Sequence, residues 1–271
     1  MSATKINWTH HTWNCVTGCT QISHGCANCY AKRLSKRLQA MQPLKYRNGF
    51  EPTMHPQCVT EPLGMARGKM IFLNSMSDTF HPAVTDEFIF AMFAVMQRCP
   101  QHLFQVLTKR SDRLLQMSLI LPRLSNVWWG VTVENGDYLH RIDDLRSRPT
   151  GWPIINEEGQ LILPETRSRN FLSCEPLLGP LPNLNLAGID WVIVGGESGP
   201  GARPMNPAWA RDIRAQCLAA GVPFFLKQLG GSGKGKGGRM LDGREWNMVP
   251  AHHVQPKKPR AARTKSKGKV K

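Results

Sequence analysis

KMIFLNSMSD, residues 69–78, is the stretch on which the fold turns: four apolar residues, Met70 to Leu73, run without alternation into a polar tip of Ser75, Ser77 and Asp78. A short unbroken apolar run of this kind reads as a strand buried on both faces, the situation of a parallel sheet. The pattern returns in FQVLTKR (104–110), VWWGVTVEN (127–135), NFLSCEP (170–176), WVIVGGES (191–198) and PFFLKQ (223–228), and a first strand is expected within 12–17. Between the runs lie helical faces. One is Ala31, Leu34, Leu38 and Met41; a second is Phe88, Met92, Val95 and Met96; a third is Trp209, Ile213 and Leu218, closed by Gly221. Strand–helix alternation predicts an α/β fold of βα units, a parallel sheet or barrel of six or seven strands, and 271 residues suffice for one such barrel.

Nearly every strand ends in polar groups: Thr108, Lys109 and Arg110; Thr132 and Glu134; Ser173 and Glu175; Glu197 and Ser198; Lys227 and Gln228. Any one of them could cap the next helix. Together they predict a single site at the carboxyl ends of the strands, where parallel α/β folds bind ligands. Residues 42–68, rich in Pro and Gly, read as a long loop over the barrel mouth. Ile154, Ile155, Leu161, Ile162 and Leu163 around Glu158–Gly159 read as a hairpin inserted at 149–169. The run GGSGKGKGG (230–238) has too much glycine to hold a fixed conformation unaided.

The chain carries 35 Lys and Arg against 19 Asp and Glu, a net charge of +16. Eight of the cations sit from Lys257 onward with no acid among them, leaving 27 against 19 and a body of +8. An excess of this size favours a polyanion such as nucleic acid, DNA above all; a solubilising tail is the plainer reading of the end. The expected division is a barrel over 1–253 and a basic flexible tail over 254–271. No apolar run approaches the roughly 20 residues of a membrane span, and the first residues lack a secretory pattern, so no membrane partner and a cytoplasmic location are expected.

In a reducing compartment, clustered cysteines bind metal or do chemistry more often than they form disulfides. The start reads Cys15-x3-Cys19-x6-Cys26-x2-Cys29-Tyr30, with Cys26 and Cys29 on one face where a helix begins. Cys19, Cys26 and Cys29 predict a three-cysteine [4Fe–4S] cluster with one open iron, the position at which S-adenosylmethionine chelates and from which a reductant's electron splits its sulfonium. A zinc site that includes Cys15, a redox CxxC pair and scattered structural cysteines are the rivals. His10, His11 and His24 flank the cluster, Gly195–Gly201 could form an anion nest, and one of Trp128 and Trp129 could stack on a base. Glu175 and Lys227 are candidate catalytic groups, with a barrel ion pair as the plainer alternative.

WTHHTWNCVTGCTQISHGCANCYAKRL (8–34), with the later NSMSD, LTKR, VTVEN, SCEPLLGP, GGESGPGARP and GRMLDGREWNMVP, resembles a family of phage and prophage proteins defined by a three-cysteine motif. That family is similar to radical S-adenosylmethionine enzymes and, distantly, to spore photoproduct lyases. The resemblance implies an incomplete (β/α) barrel with a cluster after the first strand, acting on a nucleic-acid base, with thymidine hypermodification in phage DNA by an isomerase-type reaction as the specific expectation. Two features depart from the usual radical-enzyme pattern: the first spacer has six residues rather than three, and Cys15 stands where the family is usually proline. Gly195, Gly196 and Glu197 look like the motif that holds the methionyl amino group. That motif normally follows the second strand, which here carries Ser75, Ser77 and Asp78, so both sets are candidates. The alternative function is a zinc-stabilised, non-enzymatic nucleic-acid-binding protein.

Overall fold

The computed structural model describes residues 2–65, 68–149, 154–155, 161–162, 168–233 and 235–251. Seven parallel strands lie in chain order: β1 (His11–Trp13), β2 (Met70–Leu73), β3 (Leu103–Thr108), β4 (Val127–Thr132), β5 (Asn170–Cys174), β6 (Trp191–Gly195) and β7 (Phe224–Gln228). They curl into a half-barrel, the incomplete α/β barrel expected. Helices α1 (Tyr30–Met41), α2 (Asp86–Gln97), α3 (Ser111–Ser118), α4 (His140–Arg146) and α5 (Pro207–Ala219) fill every crossover but that from β5 to β6. Local chemistry sets their ends: the Thr85 hydroxyl accepts from Phe88 N at the start of α2, and Asn206 accepts from Ala208 N ahead of Pro207 in α5.

The strands separate two apolar layers. Outward residues such as Ile71, Phe104, Val131, Leu172 and Val194 meet Ile89, Phe93, Leu114 and Ile213 of the helices. Inside the half-barrel, Trp8, Phe72, Trp128, Phe171, Trp191 and Phe225 form an aromatic floor, with Trp8 4.8 Å from Phe72 and 6.4 Å from both Phe171 and Trp191. Each such ring, fully buried, contributes about 1.5–3 kcal/mol. Trp128 and Trp129 therefore are both buried, one in the floor and one stacked on Phe93 at 5.2 Å, and neither is open to a base.

Both open edges are covered. Ser2–Ala3 pairs antiparallel with β1, and beyond β7 the chain returns so that Leu226 N donates to Trp246 O and Met248 N to Phe224 O. Leu218 of α5 is exposed and Cys217 faces the core in its place, while Leu34 and Met41 of α1 are also exposed. The Gly-rich run is held by neighbours rather than left loose: Gly231 N donates to Glu197 O, Gly199 N to Gly231 O, and Leu229 N to Gly238 O. Ile154–Ile155 pairs antiparallel with Leu161–Ile162; most of the 149–169 insertion and all of the 254–271 tail lie outside the described residues. Among the described residues no helix is long and apolar enough to cross a membrane.

Candidate functional site

Above the aromatic floor the half-barrel turns polar and opens into a cavity of about 970 Å³. Cys19, Cys26, Cys29, Ser75, Ser77, Asp78, Glu175, Gly196, Glu197 and Lys227 all line it. The strand-tip residues thus converge as their positions predicted, with fully buried Glu134 and Gly195 off the cavity lining. A Cβ on Gly195 would sit 2.5 Å from Glu175 Oε1, so that glycine makes room for the carboxylate.

The three cysteines lie on the loop between β1 and α1, and all are partly exposed. Gly18 sets the start of that loop: its φ is +83°, its N–H donates to Met76 O, and Cys19 N donates to Phe50 O of the 42–68 segment. Gln42, Lys45, Tyr46 and Phe50 bring that segment to the cavity wall, where the sequence placed it. Cys29 is the N-cap of α1, beside the unpaired amides of the helix's first turn. Burial first, and then Asp78, push the Cys19 thiol up to about 11; Arg110 acts in the opposite sense, donating Nη1 to Cys19 Sγ at 3.5 Å. Cys15 points away from this group. It is fully buried, its thiol donates to Cys58 O at 3.6 Å, and burial raises it strongly.

Most of the charged groups are already engaged. Asp78 accepts from Thr108 Oγ1 (2.6 Å), Phe80 N, Lys109 N and Arg110 Nη1 (3.2 Å). Fully buried Glu134 takes Arg141 at 2.8 Å, Lys109 at 3.3 Å and the Ser23 hydroxyl at 2.5 Å. Glu197 has Arg203 on both oxygens, at 2.6 and 3.0 Å, and Asn28 Nδ2 at 2.9 Å. Burial alone would raise the Glu197 carboxyl, but the Arg203 and Asn28 hydrogen bonds hold it down at about 2. Its charge is matched by Arg203, so the structure gives it a partner other than the ammonium expected from the sequence. Ser75 Oγ donates to Asn14 Oδ1 and Ser77 Oγ to Val16 O, so both tie β2 to the chain ahead of the cysteines.

Glu175 and Lys227 face each other at 3.0 Å, half-screened by the cavity wall, with Ser173 Oγ donating to Glu175 at 3.2 Å. The pair is both the expected ion pair and a set of charges that a ligand could divide. His10 Nδ1 accepts from Met70 N, a structural role, and the exposed His24 rests against Tyr138. Asn28, Ser23, Arg203 and Arg141 escaped the sequence reading. Asn28 between two cysteines and Ser23 three residues before Cys26 were the available signals; the distant arginines left none.

Among the described residues, no three His, Cys, Asp or Glu side chains are gathered as a single metal ion needs. A tetrahedral zinc would draw its sulfurs to roughly 3.8 Å from one another, given Zn–S bonds of about 2.3 Å. An iron–sulfur cluster binds one thiolate per iron and sets its ligands farther apart; Cys19, Cys26 and Cys29 are free thiols lining one cavity, a donor set of the kind such a cluster takes. The family model described as "Protein of unknown function (DUF5131)" matches residues 3–250. No curated protein and no solved structure matches the chain.

Proposed function

This chain belongs to the DUF5131 family, and we propose that it is a radical S-adenosylmethionine enzyme whose Cys19, Cys26 and Cys29 hold a [4Fe–4S] cluster, acting on a nucleic-acid base. The observation that carries the reading is the pairing of three cysteines with the Glu175–Lys227 pair on the walls of one cavity, while Cys15 is turned into the core. When bound, a cluster with one open iron supplies an electron to the sulfonium of S-adenosylmethionine and so gives access to hydrogen abstraction.

The chain's own residues then have separable tasks. Arg110 offsets negative charge at Cys19, and the start of α1 does so at Cys29. The aromatic floor closes the lower end of the cavity against water. Glu175 and Lys227 orient the substrate by hydrogen bonds of opposite polarity. A cavity of this size has room for a nucleoside beside the cofactor. The +8 body supports a polyanionic substrate, and thymidine in phage DNA is the specific case that the sequence resemblance suggests.

Anaerobic reconstitution with iron and sulfide tests the reading. Wild-type protein is expected to take up four irons and show a charge-transfer absorption that dithionite bleaches, and Cys19→Ala, Cys26→Ala or Cys29→Ala to abolish it, while Cys15→Ala retains it. A colourless wild-type protein that instead retains zinc through Cys15 sinks the proposal in favour of the zinc-stabilised alternative.

A further inference from the structure

We infer that the cysteine loop is clamped at three points by the protein's own side chains, through one strand-tip carboxylate beside each cysteine. Asp78 follows β2, Glu134 follows β4 and Glu197 follows β6, so the clamps come from alternate strands. At Cys19, Arg110 is paired with Asp78 at 3.2 Å, donates to the sulfur, and spans with its other nitrogen to Thr20 O and Oγ1, both at 3.1 Å. At Cys26, the Ser23 hydroxyl donates to Glu134 and lies 3.5 Å from Cys26 Sγ. At Cys29, the preceding Asn28 divides its amide between Glu197 and Gly201 O, each at 2.9 Å. Arg33, one turn into α1, donates to Ser198 O and Pro200 O and fastens the helix to the same Glu197 loop.

Each contact to a carboxylate is charge-assisted, the stronger class of hydrogen bond, and each carboxylate is held in turn by an arginine: Arg110, Arg141 or Arg203. Gly25 belongs to the same device, because a Cβ there would stand 2.5 Å from Glu134 Oε1 and push the loop off its anchor. The consequence is a division of labour. Asp78, Glu134 and Glu197 are positioning residues that place thiols, and Glu175 at the tip of β5 is left to meet a ligand. A loop ordered in advance spares the cofactor the entropy of ordering it. The purpose of the clamp rests on the cluster reading above; the clamp itself does not.

The test is the rate at which each thiol of the cofactor-free protein reacts with iodoacetamide, read peptide by peptide by mass spectrometry. Thr20→Val keeps Arg110 beside Cys19 but removes the hydroxyl that its fork reaches; Ser23→Ala and Asn28→Ala remove the other two links. Each variant is expected to speed alkylation of its own cysteine by roughly tenfold, the scale of a lost charge-assisted hydrogen bond, and to leave the other two near wild type. Ser23→Thr, which keeps the hydroxyl, is expected to restore the Cys26 rate. Buried Cys99, Cys174 and Cys217 report general loosening. Equal acceleration at all six positions, or at none, overturns the clamp. The cofactor reading is judged separately: a wild-type protein that loads no iron yet shows the one-to-one pattern removes the cluster and keeps the clamp, and loading without the pattern does the reverse.

Discussion

Gly18 and Gly25 stand on either side of Cys19, and a methyl group added to each would strike a different kind of neighbour. At Gly18 it would lie 2.2 Å from the backbone oxygen of Glu51, in a residue whose φ of +83° already disfavours any side chain. A backbone oxygen within a paired segment cannot swing away, so Gly18→Ala is expected to cost about 3 kcal/mol or more. Gly49 has φ +61° but nothing within 4 Å, and Gly49→Ala should cost only about 1 kcal/mol, the conformational penalty alone. Urea unfolding of the two variants checks this, and equal losses would mean that the approach of Glu51 to the loop is not as drawn. The TGC triplet showed that a glycine precedes Cys19. It could not show which backbone lies opposite, because that partner is 33 residues away.

At the scale of elements, the strands were legible because burial on both faces leaves an unbroken apolar run, as in MIFL of β2 and WVIV of β6. The edge partners were not legible. Ser2–Ala3 and the 246–248 return pair through backbone groups that every residue carries, so no pattern announces them. The polar tips were seen to converge, but not how they divide, since the Arg203 that neutralises Glu197 and the Arg141 that neutralises Glu134 meet them only in three dimensions. That neutralisation has a consequence in acid. The Glu197 carboxyl is held at about 2, below the usual carboxylate value near 4.3, so its contribution is complete above that value and is lost as pH falls through about 4 toward 2. Arg203 is one-third exposed, so solvent screening limits the effect to about 2 kcal/mol. Unfolding midpoints measured between pH 5 and pH 2.5 should therefore decline less in Glu197→Gln than in the wild type; parallel declines would place the acid-sensitive charge elsewhere.

For the whole molecule, the half-barrel has one closed end and one open one. Trp8 stoppers the closed end, and Trp8→Ala is expected to cost about 3–5 kcal/mol by emptying a contact shared with Phe72, Phe171 and Trp191. A thermal melt detects a loss of that size. The open end lies in a body of net charge +8, and the eight cations from Lys257 onward add as much again. Those fifteen residues are outside the described structure, so their charge carries the argument. Each phosphate contact adds about −0.9 to the slope of log affinity against log salt on duplex DNA. A chain lacking 257–271 is expected to bind DNA more weakly, with a slope shallower by up to about 7 if every cation of the tail meets a phosphate. The residual slope should stay negative, because the body alone remains basic. The melting temperature should not move, since so charged a segment has no apolar surface to bury. Fluorescence anisotropy across a salt series measures both slopes. An unchanged slope in the truncated chain would confine nucleic-acid contact to the body and leave the tail as a solubilising segment.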